Sequence, residues 1–194
     1  MARSTLSVII EDLRGMTDAG PADYNVGTAV YWDDNQLQTV LDRHRRDFRH
    51  IKLDMSEDWV GGGSVQYRDY YSPVQNIEQT DGGTAVFWIE DSTGANVGTA
   101  NWTADYRIGL LTFTANQAGT VYYATGRSYN LHAAAADVWR MKAANVAKYY
   151  DINTDNHGLS RSQMHRQFIE MANYYLNQAP AKTVSVQRGD LCDG

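Results

Sequence analysis

Residues 129–150, YNLHAAAADVWRMKAANVAKYY, contain the longest helical pattern in this sequence, and the rest of the chain is interpreted around them. The spacing predicts one helix of about six turns. Large apolar side chains cover one broad face, alanines cover the roughly opposite face, and a narrow polar strip separates them. A surface helix normally has one apolar stripe, so apolar cover this wide predicts burial on two sides. This helix is therefore either the centre of a helical bundle or a wall that two subunits share.

The second possibility identifies candidate contact residues. Alanine lets a neighbouring backbone approach closely, and tryptophan supplies a large apolar surface. If two subunits share this helix, we expect their interface to include Ala136, Trp139, Ala143 and Ala147.

Length and composition place the chain among ordinary globular proteins. Its 194 residues, 43% hydrophobic and 21% charged, predict one large domain or a domain with a sizeable insertion. No apolar run approaches the ~20 residues that span a bilayer, and the N-terminal residues lack the pattern of a signal peptide. The single cysteine, Cys192, allows no internal disulfide, which fits synthesis in a reducing cytoplasm.

The net charge of −6 is concentrated in the middle of the chain. Residues 55–126 carry two basic and eight acidic side chains. Because tight binding to a phosphate backbone requires clusters of Lys and Arg, this distribution argues against a nucleic-acid-binding role for that region.

Residues 1–54 predict two amphipathic helices. An i, i+3, i+4, i+7 apolar spacing that starts at Leu6 predicts a short first helix. A second helix of about four turns is predicted to begin after the capping residue Asp33 and to keep one apolar face as far as Ile51. Its remaining surface is basic, which indicates either a solvated face or a docking face. In the second case Arg45 and Arg49 belong to the subunit interface.

Residues 55–126 predict a β-rich insertion. Four strand-like runs are separated by short turns rich in Gly, Asn and Asp, which is typical of an antiparallel meander; the runs are Thr84–Glu90, Val97–Trp102, Leu110–Ala115 and Thr120–Thr125. Aromatic side chains are dense here. They indicate a sheet core with a protein interface or, alternatively, a sugar-stacking platform that includes Trp88 and Trp102.

Residues 127–180 predict the third and fourth helices, the fourth starting at a capping pattern on Ser160 and stopping at Pro180. Residues 181–194 predict an extended C-terminal arm with no local partner. The predicted fold class is α+β, mainly α: a four-helix bundle with an inserted antiparallel β meander and this arm.

No catalytic motif is recognisable. The loop at residues 151–158, DINTDNHG, starts like an EF-hand but lacks the required glycine and the bidentate glutamate. A metal-dependent enzyme using Asp151, Asp155 and His157 is the weakest of the alternatives. We therefore expect neither catalysis nor a bound metal or cofactor.

Several phrases resemble one family when taken together. LSVIIEDLRGMTDAGPADYN and YWDDNQLQTVLDRHR are similar to the N-terminal helices of head–tail connector proteins of long-tailed bacteriophages, also called adaptor or head-completion proteins. GLLTFTANQAGTVYYATGRSYNLHAAAADVW and the SRSQM helix start resemble the inserted sheet and the last two helices of that family. The resemblance extends from about residue 6 to residue 178.

The resemblance implies a structural subunit of the virion neck. Members form a dodecameric ring below the portal vertex, contact a stopper or tail-completion protein on the other side, and let genomic DNA pass through the lumen without sequence-specific binding and without a membrane. Their C-terminal arm reaches into the portal, which here implies contacts from Lys182, Val184, Val186, Arg188 and Leu191.

Overall fold

The computed structural model describes residues 2–20, 25–26, 29–60, 62–147, 152–154, 157–159 and 161–180. Its α-helices are α1 (Ser7–Thr17), α2 (Asp34–Arg43), α3 (Leu131–Val146) and α4 (Arg161–Gln178), and two short 3-10 helices span Ser4–Leu6 and Thr99–Asn101. The strands in the first part of the described chain are β1 (Asn25–Val26), β2 (Ala29–Val30), β3 (Arg45–Lys52), β4 (Asp54–Met55), β5 (Asp58–Val60), β6 (Ser64–Gln66), β7 (Asp69–Tyr71) and β8 (Ile77–Glu78). The remaining strands are β9 (Thr80–Asp81), β10 (Thr84–Ala85), β11 (Trp88–Glu90), β12 (Trp102–Asp105), β13 (Leu110–Phe113), β14 (Tyr123–Tyr129), β15 (Ile152–Thr154) and β16 (His157–Leu159).

Two helices begin at side-chain caps. The Asp33 carboxylate accepts a hydrogen bond from the Gln36 backbone N–H at 2.7 Å, which fixes the start of α2 where the sequence predicts it. The Asn130 side chain accepts one from the Ala133 N–H at 3.1 Å and starts α3 directly after β14. Capping therefore determines where the chain leaves the sheet and becomes helical.

The first hydrophobic core is helical. It contains apolar side chains of α1, α2 and α3 together with Trp32 and Tyr129. Arg14 fastens α1 to the start of α2, because its guanidinium donates to the carbonyls of Ala19 and Trp32 and pairs with Asp34 at 2.7 Å.

The second core lies between two antiparallel sheets. One sheet has the order β11–β14–β3, with β8 also paired to β14, and the other has the order β12–β13–β7–β4. Ile89 and Ala124 from the first sheet meet Leu111, Phe113 and Tyr70 from the second, and all five are buried. The two sheets thus enclose a core of their own, next to the helical one.

The predicted second helix is wrong beyond Arg43. Residues 45–52 form β3, which pairs with β14 from Tyr129↔Arg45 to Tyr123↔Lys52. The register shifts between Ala124 and Gly126, where β3 has one extra residue. Because of this bulge, Phe48 and Ile51 are three apart and still lie on the same face, a spacing that imitates a helix.

The predicted fold class is also wrong. The described residues contain four helices, but they do not form a four-helix bundle with a small insertion, because β-strands in several antiparallel sheets take up about half of the chain between α2 and α3. The strands pair across long sequence distances, as β3 does with β14, and do not follow the simple meander of the prediction. The buried side chains of the helical core come mainly from α1, α2 and α3. Helix α4 packs along α3.

The chain itself shelters most of α3. Seven of its sixteen residues are buried, contacted by α1 and α2 and by α4. Near the C-terminal end of α3, Trp139 Nε1 donates to the Met16 carbonyl at 3.3 Å and Lys142 Nζ donates to the Asp18 carbonyl at 2.9 Å. The two apolar sides of this helix are thus covered largely from within one subunit.

Candidate assembly surfaces

Helix α4 is the least buried of the long elements. Of its described side chains only Ala172 is buried, and it faces α3 together with Phe168, whose ring centroid lies 5.3 Å from that of Trp139. Tyr174 and Leu176 flank this contact stripe on either side and are 56% and 43% exposed. Large apolar side chains beside a packed stripe indicate a surface that a partner can cover.

A second exposed apolar site is the hairpin of β5 and β6. Among the described residues these strands pair only with each other, with Trp59 opposite Val65 and Val60 opposite Ser64. Trp59 is 69% exposed and Val60 is also exposed, which is unusual for side chains of this size. Tryptophan is among the residues that most often anchor protein interfaces.

A groove lies where the described part of α4 ends. We call it the β3–α4 groove; its lining residues are His44, Arg45, Arg46, Asn130, Ala133, Leu176, Ala179 and Pro180, and it encloses about 370 Å³. Its wall is set by two long-range contacts. His44 Nε2 lies 2.8 Å from an Asp137 carboxylate oxygen, and the Arg46 guanidinium donates to the Pro180 carbonyl at 3.2 Å.

The structure separates the residues of the predicted subunit interface. Ala136 and Ala143 are buried inside the chain, so a second copy cannot reach them in this conformation, and Trp139 is half-buried. Ala147 is exposed. Arg45 and Arg49 are exposed on β3, a strand at the edge of its sheet, and not on a helix.

Other predicted sites fall outside the described residues. The residues of the C-terminal arm that were predicted to contact the portal lie outside the described ranges; they are Lys182, Val184, Val186, Arg188 and Leu191. Asp151 and Asp155, from the loop that starts like an EF-hand, also lie outside these ranges. Within the described ranges, no group of three His, Cys, Asp or Glu side chains is placed to hold a metal ion.

A buried carboxylate joins the N-terminal segment to the sheet. Glu78 is fully buried on β8; its Oε2 accepts a hydrogen bond from the Tyr129 hydroxyl at 2.7 Å, and its Oε1 lies 3.0 Å from Arg3 Nε. The Arg3–Glu78 contact is an ion pair without a well-aligned hydrogen bond. Burial, and after it the bond to Glu78, raises the pKa of the Tyr129 hydroxyl. Arg127 and Asp81 complete the cluster at its exposed rim.

The β3 bulge creates a second polar cluster on the outer face of the first sheet. His50 has a φ of +51°, which is uncommon for a residue with a side chain, and its ring stacks on Tyr123 at 4.0 Å. Its Nδ1 lies 2.8 Å from Glu90, which also accepts from Trp88 Nε1 at 2.6 Å. These bonds, that from His50 first, lower the pKa of the Glu90 carboxyl. The cluster orients His50, whose side chain is 48% exposed.

The two tryptophans of the alternative sugar platform are in different environments. Trp102 is only 5% exposed and packs edge-to-face on Phe87, so it offers no free ring face to a sugar. Trp88 is half-buried, and its indole N–H is already bonded to Glu90. The pair does not form one aromatic platform.

Comparisons with protein-family models, with curated proteins and with solved structures found no match to this chain. None of the helices in the described ranges combines the length and the apolar character needed to cross a membrane.

Nothing in the sequence pattern distinguishes Trp59 from the other aromatic side chains of the β-rich insertion, and Val60, Tyr174 and Leu176 were not predicted to be exposed. Trp59 and Val60 lie in a region without clear periodicity, and Tyr174 and Leu176 lie off the stripe of the last helix. One signal was present for the helix, since two large apolar residues beside an already complete stripe exceed what one packing partner can cover.

Proposed function

We propose that this chain is a structural subunit of an adaptor ring in the neck of a tailed bacteriophage, between the portal and a stopper or tail-completion protein. In this role genomic DNA passes through the lumen, twelve copies form the ring, and residues 181–194 contact the portal. The proposal extends the sequence resemblance to head–tail connectors.

The observation that carries the proposal is the exposure of large apolar side chains in two separate regions. Trp59 belongs to the β5–β6 hairpin, and Leu176 belongs to the end of α4. Soluble monomers rarely leave large apolar groups exposed together without a binding role. Two different contact surfaces on one chain support head-to-tail assembly, and such an interface closes into a ring when its rotation allows closure.

The acidic middle of the chain agrees with a DNA-conducting role. Residues 55–126 carry eight acidic and two basic side chains, and every acidic one except Glu78 is at least partly exposed. A surface with this charge repels phosphates, so DNA that passes nearby does not adhere.

The test is the location and mass of the chain. Electron microscopy of particles with an antibody against the chain should label the neck, and native mass spectrometry of the chain with its portal should show a multi-copy complex. A chain that is absent from mature particles and stays monomeric with the portal would contradict the proposal.

A further inference from the structure

The β5–β6 hairpin exposes large apolar side chains, and the β3–α4 groove is a recess with apolar lining. The hairpin projects Trp59 and Val60, and the groove has an apolar wall made by Ala133, Leu176 and Ala179. A groove of about 370 Å³ has room for one indole side chain. In the described chain the groove is lined by β3, α3 and α4, and its own hairpin does not enter it.

Their charges are complementary. Residues 54–60 carry three acidic side chains and no basic one, whereas β3 carries four basic side chains and one acidic. Within the described residues, Glu57 and Asp58 have no ion-pair partner. Among the Arg and Lys side chains of β3 only Arg45 has one, the neighbouring Asp47, while His50 lies 2.8 Å from Glu90. Among the described residues, each surface thus presents charged side chains without an ion-pair partner, Glu57 and Asp58 on the hairpin and Arg46 on the groove wall.

We propose that the hairpin of one copy docks into the β3–α4 groove of the next copy, with Trp59 against Leu176 and the acidic hairpin residues beside Arg46. The inference rests on the proposed ring and names its contact. Because hairpin and groove are different surfaces, every copy both inserts a hairpin and receives one, which is the geometry of a heterologous interface.

Removing the anchor should weaken assembly and leave the subunit intact. Buried tryptophans at interface centres are frequent hot spots, so Trp59→Ala should raise the dissociation constant between copies by about 30-fold or more. Val8→Ala, at an exposed apolar site outside both surfaces, is the matched control and should leave that constant unchanged. Analytical ultracentrifugation measures both, and circular dichroism verifies that each variant is folded.

Cross-linking between copies decides the pairing. In a Cys192→Ser background, one preparation carries Ser64→Cys on the hairpin and a second carries Ala179→Cys in the groove. Because each protein has a single cysteine, a product that contains both variants can form only between two copies. After mixing, a short bismaleimide should join one copy of each kind. Ala144→Cys replaces Ala179→Cys in the control; it is an exposed helical alanine 11 residues beyond Ala133 of the groove along α3, or about 16 Å away.

The outcomes separate this inference from the proposed function. A mixed product well above the Ala144→Cys control supports hairpin docking. Assembled wild-type rings that give no excess of mixed product overturn hairpin docking and leave the ring in place. A wild-type chain that remains monomeric, also with the portal, overturns both.

Discussion

Helices α3 and α4 lie side by side, yet they differ greatly in how many of their side chains are buried. α3 buries seven residues against α1, α2 and α4, whereas α4 buries only Ala172 among its described side chains. The helix whose sequence looks too apolar for one molecule is enclosed by its own chain. The helix whose sequence looks ordinary is the one that remains open. A broad apolar surface in a sequence shows that a helix will be covered, but it does not show which chain covers it.

The largest difference in stability is expected between a substitution in the buried helical core and one on the exposed side of α4. Leu13 on α1 is fully buried in the core that α3 shares, so Leu13→Ala should cost about 2–5 kcal/mol of unfolding free energy through lost burial and a cavity. Leu176→Ala on the exposed flank of α4 should change it by no more than about 0.5 kcal/mol. Urea denaturation of the dissociated chain measures both free energies. Equal losses would contradict the difference in burial between the helical core and α4.

A smaller effect is expected where the closed core contains charge. Arg3→Ala removes the guanidinium that lies 3.0 Å from the fully buried Glu78 carboxylate. The remaining partners of this carboxylate are Arg127, at 3.8 Å, and the hydroxyl of Tyr129. Leaving a buried carboxylate partly unpaired should cost about 2–3 kcal/mol.

The control for this variant is a pair at the surface. Arg140→Ala breaks an exposed contact with Asp137 one turn away and should change stability by less than about 0.5 kcal/mol. If thermal denaturation gives the two variants the same melting temperature, the buried ion pair contributes no more to stability than the exposed one.

The smallest effect is expected at the His50–Glu90 cluster, where the sheet is only partly closed. The pKa of the Glu90 carboxyl is lowered from 4.5 in the folded chain, so its stabilising contribution is present above pH 4.5 and is lost as the pH falls below that value. Glu90→Gln should therefore show a shallower loss of stability below pH 4.5 than the wild type. Denaturation midpoints from pH 6 to pH 3 measure this, and parallel curves would exclude the assignment.

The sequence predicts local features well. Asp33 caps α2, the apolar spacing from Leu6 marks α1, and the helical pattern after Tyr129 corresponds to α3. Each of these depends on residues within a few positions of one another, so capping and periodicity are sufficient to find them.

The sequence misses what depends on distant partners. β3 becomes a strand because β14, about 75 residues later, offers an edge to pair with, and its bulge gives the apolar residues a helix-like spacing. Whether α3 is sheltered by its own chain also depends on where α1, α2 and α4 pack. The candidate contact residues therefore move from the alanines of α3 to Trp59 and Leu176.

Hydroxyl-radical oxidation read by mass spectrometry, on assembled and on dissociated chain, locates the side chains that assembly covers. If the hairpin of one copy docks into the groove of the next, assembly protects Trp59 and Leu176 from oxidation and leaves Val8 unchanged. Protection that spares Trp59 and Leu176 and appears elsewhere would contradict this docking.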